Sequence, residues 1–371
     1  MSGEGRPTPK QTYVENAVRK KIVSGEWPTG SRLRTRAQLH EEFGVSIVTL
    51  QHAFDELAEE GFVEARGRSG TYVTDNPPHV SQFALVIPDD PEKDSRRWSS
   101  FWDALIQEAR VLEEDYPYAI IPYYGVGKHP DAEDYRTLVS EVEDHRIAGI
   151  IFATSPHLVT GTPLTEEPGI PHAAIMSAPS SGAIAAVDPD ARSFYRRALD
   201  HLSERGRKRI GIIAARTLPV GEDGLHSWLA ERGQETRREW VQLPSPWGRE
   251  GITRVAHLLM SRRDDRPDGL IIGDDNLVES ATRGLVDAGV RAPEEVELVC
   301  HANFPCPSDS ALPAARIGFD ARRLLKECVE RIIQQRHGES PRSFTRVDAV
   351  TEAEWDESEA ERRRSATTVM S

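Results

Sequence analysis

The stretch "FGVSIVTLQHAFDEL", residues 43–57, decides how the N-terminal part of the chain is read. Gly44 suits the left-handed residue that ends one helix, and Ser46 suits the cap that starts the next. From Ser46 onward, Leu50, Ala53, Phe54 and Leu57 fall on one helical stripe. Ser46, Ile47, Val48, Thr49, Gln51 and His52 fall on the other side. One stripe is built for burial, and the other carries groups that can touch base edges.

The flanks complete a pattern. Val14, Ala17, Val18 and Ile22 recur at helical spacing, and Gly25, Pro28 and Gly30 then break the run. A second helix reads from Thr35 as N-cap through Leu39 to Phe43. After the third helix, "FVEARGRSGTYVTD", residues 62–75, alternates on both sides of a Gly-containing turn, which predicts a hairpin. Three helices followed by a two-stranded ribbon make a winged helix-turn-helix over residues 1–75, whose third helix enters the major groove. Gln51 can pair with adenine, Thr49 can reach a base or phosphate, and Ile47 or Val48 can pack on a thymine methyl. Arg32, Arg34, Thr35 and Arg36 lie where a phosphate meets a helix N-terminus, and Arg66, Arg68 and Gly70 lie at the hairpin tip. For any one of these residues, a solvated surface position is the simpler reading; their joint placement on one face favours DNA.

Charge supports that division. The chain has 371 residues and a formal net charge of -14, yet residues 1–40 hold 8 Lys or Arg against 3 Asp or Glu. The acidity belongs to the remainder, and charges farther than about 8 Å are screened at physiological ionic strength, so the basic end acts locally. Length predicts two domains, and no apolar run is long enough to span a membrane or act as an export signal, so the expectation is a cytoplasmic protein without a membrane partner. Cys300, Cys306 and Cys328 form no CxxC pair and no disulfide framework, and are read as reduced and mostly buried.

Residues 76–81, "NPPHVS", read as a Pro-bearing linker. From Phe83 onward, "FALVIP", "YAIIPYY", "AGIIFATS", "HAAIMS", "RIGIIAA", "DGLIIG" and "VELVCHA" are short apolar runs with helical patterns between most of them. This is the signature of parallel sheets covered on both faces, an α/β class. Residues 82–352 exceed what one doubly wound sheet needs, so two lobes with a cleft are expected. The end, 353–371, lacks an apolar period and reads as a disordered tail. No GxSxG, HExxH, P-loop or strand-following GxGxxG occurs, so no enzyme, cofactor or metal site is expected; Asp188 and Asp190 read as turn and cap residues.

Residues 11–75 resemble the gluconate-repressor (GntR) type of winged-helix transcription regulator through Gly25, Pro28-Thr29-Gly30, Leu33, Leu39, Gly44-Val45-Ser46, Thr49, Ala53, Leu57, Gly61 and Gly70-Thr71-Tyr72-Val73. Members of that family commonly carry arginine where this chain has Ile47 and Gln51, so the operator implied is a different one, richer in A·T at those steps. "AIAAVDPDARSFYRRALDHLSERGRKRIGIIAA" and "PDGLIIGDDNLVESATRGLVDAGVRAPEEVELVCHANFP" resemble segments of LacI/GalR-type, periplasmic-binding-protein-like effector domains, a likeness that reaches from about residue 82 to 350. The fold implied is two lobes joined by crossing strands, with a small molecule, a sugar or derivative, held between them.

Candidate effector contacts follow the strand ends: Asp89, Trp98, Trp102, Ser155, Asp190, Arg216, Asp275 and Asn303. Core packing competes for Trp102, and helix capping competes for Asp190 and Asp275. Gly221 and Ala302 replace an arginine and an aspartate usual in that class, which points away from a standard hexose. The expectation is a DNA-binding repressor that works as a homodimer on a palindromic double-stranded operator under control of an effector. Two alternatives stay open: a small-molecule-binding protein without a DNA partner, and a DNA-binding dimer whose second domain takes no ligand.

Overall fold

The computed structural model describes residues 9–95, 98–129, 131–177, 184–215, 218–219, 221–246, 248–262, 265–337 and 344–369. The chain begins with helices α1 (Pro9–Val23), α2 (Arg36–Phe43) and α3 (Ile47–Glu59), then strands β1 (Val63–Ala65) and β2 (Thr71–Val73). Thr35 and Ser46 cap α2 and α3 with their hydroxyls, and Gly44 takes φ 63° between them. β1 and β2 pair antiparallel with Val63 opposite Val73. Val14, Val18, Leu39, Leu50, Phe54, Leu57 and Phe62 form one buried cluster. Removal of that much apolar surface from water holds three short helices together that would not persist alone.

A four-residue helix, α4 (Pro78–Ser81), leads into the first lobe: β3 (Gln82–Val86), α5 (Ser100–Asp115), β4 (Ala119–Tyr123), α6 (Glu133–Glu143), β5 (Gly149–Phe152), α7 (Pro163–Glu166), β6 (His172–Ile175) and β7 (Ala185–Pro189). The second lobe follows as α8 (Ala191–Glu204), β8 (Ile210–Ile213), α9 (Gly221–Ala230), β9 (Val241–Gln242), α10 (Arg249–Met260), β10 (Gly269–Ile272), α11 (Val278–Asp287), β11 (Glu297–Phe304) and β12 (Ala315–Asp320). Then the chain returns to the first lobe as α12 (Ala321–Arg336) and β13 (Phe344–Val347), and crosses again to β14 (Val350–Thr351) and α13 (Glu352–Val369). The two six-stranded sheets have orders β13-β7-β6-β5-β3-β4 and β14-β12-β11-β10-β8-β9, parallel except where β14 meets β12. Three crossings, at 189–191, 320–321 and 347–350, join the lobes. Parallel strands put their carboxyl ends together, so the candidate ligand residues gather where the lobes face each other.

Each of the seven apolar runs forms a strand: β3, β4, β5, β6, β8, β10 and β11. Two expectations differ from the structure. Residues 352–369 form helix α13 rather than a disordered tail; Trp355 stacks on Phe304 and Glu359 is buried against Arg322, anchors without an apolar period. Nor is the 76–81 linker a free spacer: Pro77, Pro78 and His79 are buried, and His79 stacks on Phe62 at 6.0 Å between ring centroids.

The winged helix therefore touches the first lobe. Glu60 receives Arg19 at 2.5 Å from its own domain and Arg146 at 2.8 Å from the loop after α6. The Arg336 guanidinium donates to the His79 carbonyl. Burial, with Arg336 and then His145 adding to it, pushes the His79 imidazole down to about 4. A histidine held neutral by the fold supports that fold above its ordinary value of 6.5, and this support is lost as pH falls through 6.5 toward 4. Proteolysis within 76–81 should accelerate over that window, by at most ~3 kcal/mol of lost protection. His79→Phe, which keeps the ring stack and removes the titration, should flatten the pH profile.

Candidate DNA-binding face and interlobe cleft

The exposed side of α3 is formed as its stripe requires. Leu50, Ala53, Phe54 and Leu57 are all at most 2% exposed, whereas Ile47 and Val48 are 59% and 66% exposed. Gln51 and His52 are exposed beside them. Ser46 accepts the Thr49 N–H at 3.1 Å, fixing the helix start. Gln51 Nε2 donates to Asp55 Oδ1 at 2.6 Å, which leaves the amide oxygen as a free-facing acceptor group. Asp55 was not singled out in the sequence; its signal is the i,i+4 spacing from Gln51.

Around this side, Arg34 is exposed and pairs with Glu42 at 3.1 Å, and Thr35 is exposed at the start of α2. Arg32 is exposed and bridges to Tyr72 of the wing. Gly70 has φ +105°, and a Cβ there would lie 3.1 Å from Arg32 Nε, so glycine lets the arginine pass. Arg66 pairs with Glu64 at 2.5 Å and lies over the Tyr72 ring. The Arg68 side chain lies outside the described residues. Arg36 does not reach out as expected: its guanidinium sits 4.1 Å from the Phe54 ring centre, and burial lowers its pKa. Its Nη1 is buried and, among the described residues, has no hydrogen-bond partner, so the ring face offsets only part of the cost of leaving water.

In the second domain the predicted residues form two groups. Asp89, 4% exposed, accepts Trp102 Nε1–H at 2.9 Å and an ion pair from Lys128. Trp102 is thus a buried residue with its polar edge turned to Asp89, a mixture of the core and contact readings. In the other group, Asp275, 2% exposed, accepts Ser100 Oγ at 2.6 Å, Asn303 Nδ2 at 3.0 Å and the Ser308 N–H at 3.0 Å. Ser100 belongs to the first lobe, so Asp275 ties the lobes together.

Asp275 is not a cap; its neighbour Asp274 caps that turn by accepting the Asn276 N–H. Asp190 is a cap, accepting the Arg192 N–H at the first crossing. Trp98 is half-buried, donates to Asp103 at 2.8 Å and lies 6.2 Å from the Tyr124 ring. Ser155, half-buried after β5, joins neither group, and Arg216 lies outside the described residues. Ala302 is fully buried in β11 opposite Gly318. Lys128, Ser100 and Ser308 went unpredicted because nothing in their local sequence marks a long-range partner.

A helical head with a wing, followed by two parallel-sheet lobes tied across their strand ends, is a winged helix joined to a binding-protein-like second domain. Residues 10–73 match the model for bacterial regulatory proteins of the gntR family, and residues 199–352 match the periplasmic binding protein-like domain. The arabinose metabolism transcriptional repressor of Halalkalibacterium halodurans is 20% identical over 358 residues, 90% of this chain and 93% of the relative. The mannosyl-D-glycerate transport/metabolism system repressor MngR of Escherichia coli is 34% identical over 86 residues, which cover 23% of this chain and 36% of that repressor. The solved structure of the transcriptional regulator CelR in complex with cellobiose shares the fold, with TM-score 0.55 and 18% identity, covering 83% of this chain and 90% of that one. The chain thus carries an N-terminal segment that matches the gntR regulatory-protein model and a C-terminal segment that matches the periplasmic binding protein-like domain. Among the described residues no helix is long and apolar enough to cross a membrane, and no group of three or more His, Cys, Asp or Glu could hold a metal ion.

Two substitutions check the cleft. Asp275→Ala strands the Asn303 amide and the Ser308 N–H and should cost roughly 2–4 kcal/mol in urea unfolding of this domain. At the first crossing, burial and then Asp190 raise Asp188 to about 6. A carboxyl raised in the fold loses stability as pH climbs from 3.8 to 6, so Asp188→Asn should raise the melting temperature at pH 7.5 and leave it little changed at pH 4.

Proposed function

We propose that the protein is a cytoplasmic, effector-responsive repressor that binds a palindromic operator as a homodimer, each copy placing α3 in one major-groove half-site. One observation carries this reading: two large apolar side chains, Ile47 and Val48, protrude into solvent beside Gln51 and His52 on a helix whose opposite stripe is packed. Exposed apolar groups on a first helical turn gain nothing in water, and they fit thymine methyls in a groove. The repressor names of the relatives support the sign of regulation. The effector reading draws on the arabinose-metabolism relative, which spans nearly the whole chain, and on the cellobiose complex of a regulator with this fold. Its class is a sugar or derivative, held between Asp89, Trp98 and Trp102 on one lobe and Asp275 and Asn303 on the other. With Gly221 and Ala302 where the class has an arginine and an aspartate, the ligand differs from a standard hexose.

The Asp55 carboxylate sharpens the operator reading. By occupying one Gln51 N–H it leaves the amide oxygen and one N–H for a base, and only adenine N6 and cytosine N4 can donate to that oxygen in the major groove. Selection of bound sequences from a random duplex pool should give adenine or cytosine at one step in each half-site. Gln51→Ala and Asp55→Ala should both flatten that step, at about 1–3 kcal/mol of discrimination. Arg34→Ala should instead weaken all sequences alike and reduce the salt slope by about 1. Failure of the folded, dimeric protein to shift any duplex at low salt would remove the DNA reading. A thermal-shift screen of sugars and other metabolites without a stabiliser would leave the lobes as a dimerising scaffold.

A further inference from the structure

We propose that α13 is a strap that latches the two lobes across their hinge and sets how readily the cleft opens. The helix starts on the second lobe. Glu352 pairs with Arg316 of β12 at 3.1 Å, Glu354 pairs with Arg197 of α8 at 2.7 Å, and Trp355 stacks on Phe304 at the end of β11, 5.3 Å between centroids and 11° between planes. Two turns later it is on the first lobe. Glu359 receives Arg322 at the start of α12, and Arg322 also reaches Glu108 of α5 at 2.6 Å. Arg362 then pairs with Asp115, the last residue of α5, at 3.3 Å.

Three features make these contacts a latch rather than surface decoration. The helix runs unbroken from Glu352 to Val369, so both sets of anchors hang on a single rod. The Arg322, Glu108 and Glu359 side chains are 9%, 3% and 10% exposed, so the ion triad is out of water, where losing one carboxylate costs far more than at a surface. And the two anchor sets sit on opposite sides of the three crossings. A rotation about the crossings that parts Phe304 from α5 must break either the Trp355 stack with its two ion pairs or the Arg322 and Arg362 contacts. Domain closure of this kind pivots on few residues, so one rigid helix spanning them biases the equilibrium.

The test needs neither DNA nor effector, so it stands apart from the regulatory reading. Spin labels at Thr137→Cys on α6 and Leu258→Cys on α10, both exposed, with Cys306→Ser to leave only buried native thiols, report the distance between lobes by double electron–electron resonance. The full chain should give one narrow distance distribution. Trp355→Ala, Glu359→Gln and a chain ended after Thr351 should each add longer distances. In the same variants, amide exchange in 188–190 and 347–350 should rise by about tenfold or more, the effect of losing one charge-assisted bond. Glu361→Gln, on the exposed side of α13, should change neither readout. Circular dichroism and melting identify folded variants; if the truncated chain does not fold, the two single substitutions decide. Folded Trp355→Ala and Glu359→Gln proteins with the distances and exchange rates of the full chain would overturn the proposal.

Discussion

Helix α12 is anchored by an arginine at each end, and through them it holds α5, α13 and the linker. Arg322, at its start beside the second crossing, holds α5 through Glu108 and α13 through Glu359. Arg336, at its end, holds the linker through the His79 carbonyl. Between them Gln335 donates to the His172 carbonyl at 2.9 Å and accepts its N–H, so the helix is also pinned to the sheet at β6. Sixteen helical residues span about 24 Å, and hydrogen bonding along the axis makes such a rod stiff. Burial pushes the Glu108 carboxyl up while Arg322 pulls it down, the balance expected where a buried charge is retained for placement rather than for net stability.

The same contacts narrow the surface left for phosphates. Of the basic residues within 1–40, Arg19 is committed to Glu60 at the junction with the first lobe, Lys21 pairs with Glu26 and Glu42, and Arg36 covers Phe54. Among the described side chains, exposed Arg32 and Arg34 from that stretch and Arg66 of the wing lie on the proposed face, and Arg34 and Arg66 each already pair with a carboxylate of the protein. Operator affinity would then lean less on counterion release and more on the fit of Ile47, Val48 and Gln51 to bases. For a chain with net charge -14 this is a consistent design, since base contacts are not weakened by distant acidity as phosphate attraction is.

The winged helix was legible almost to the residue because its signals are local: Thr35 and Ser46 as caps, Gly44 as the helix stop, and one stripe at helical spacing. Seven strands were legible because their apolar runs are continuous, and all but the edge strand β4 are buried on both faces. β12, β13 and β14 lay outside those runs: "ARIGFD" and "FTRV" interrupt their apolar residues with charge, and "VT" is only two residues long. Helix α13 was invisible for a related reason: its order comes from ion pairs and one aromatic stack with partners tens to hundreds of residues away. Among the cleft candidates, residue type identified Asp275 and Asn303 but could not reveal Ser100, because a serine gains its role only from the carboxylate opposite. Arg36 shows the converse, a side chain of the right type whose aromatic neighbour draws it inward.

The tie between Ser100 and Asp275 bears on what an effector has to offer. Both lobes already meet through that 2.6 Å bond, so on the proposed function a ligand entering the cleft would compete with a protein hydroxyl for a nearly dry carboxylate. An acceptor-only group would leave the Asp275 charge with one partner fewer and be rejected, as buried polar groups without partners are. A donor such as a sugar hydroxyl can replace Ser100 at little cost and leave the Asn303 and Ser308 contacts in place. The ligand can then shift the lobes only by the difference in its affinity for their two arrangements. A cleft pre-tied by Asp275 and braced by α13 makes that difference, rather than binding strength alone, the quantity on which regulation depends.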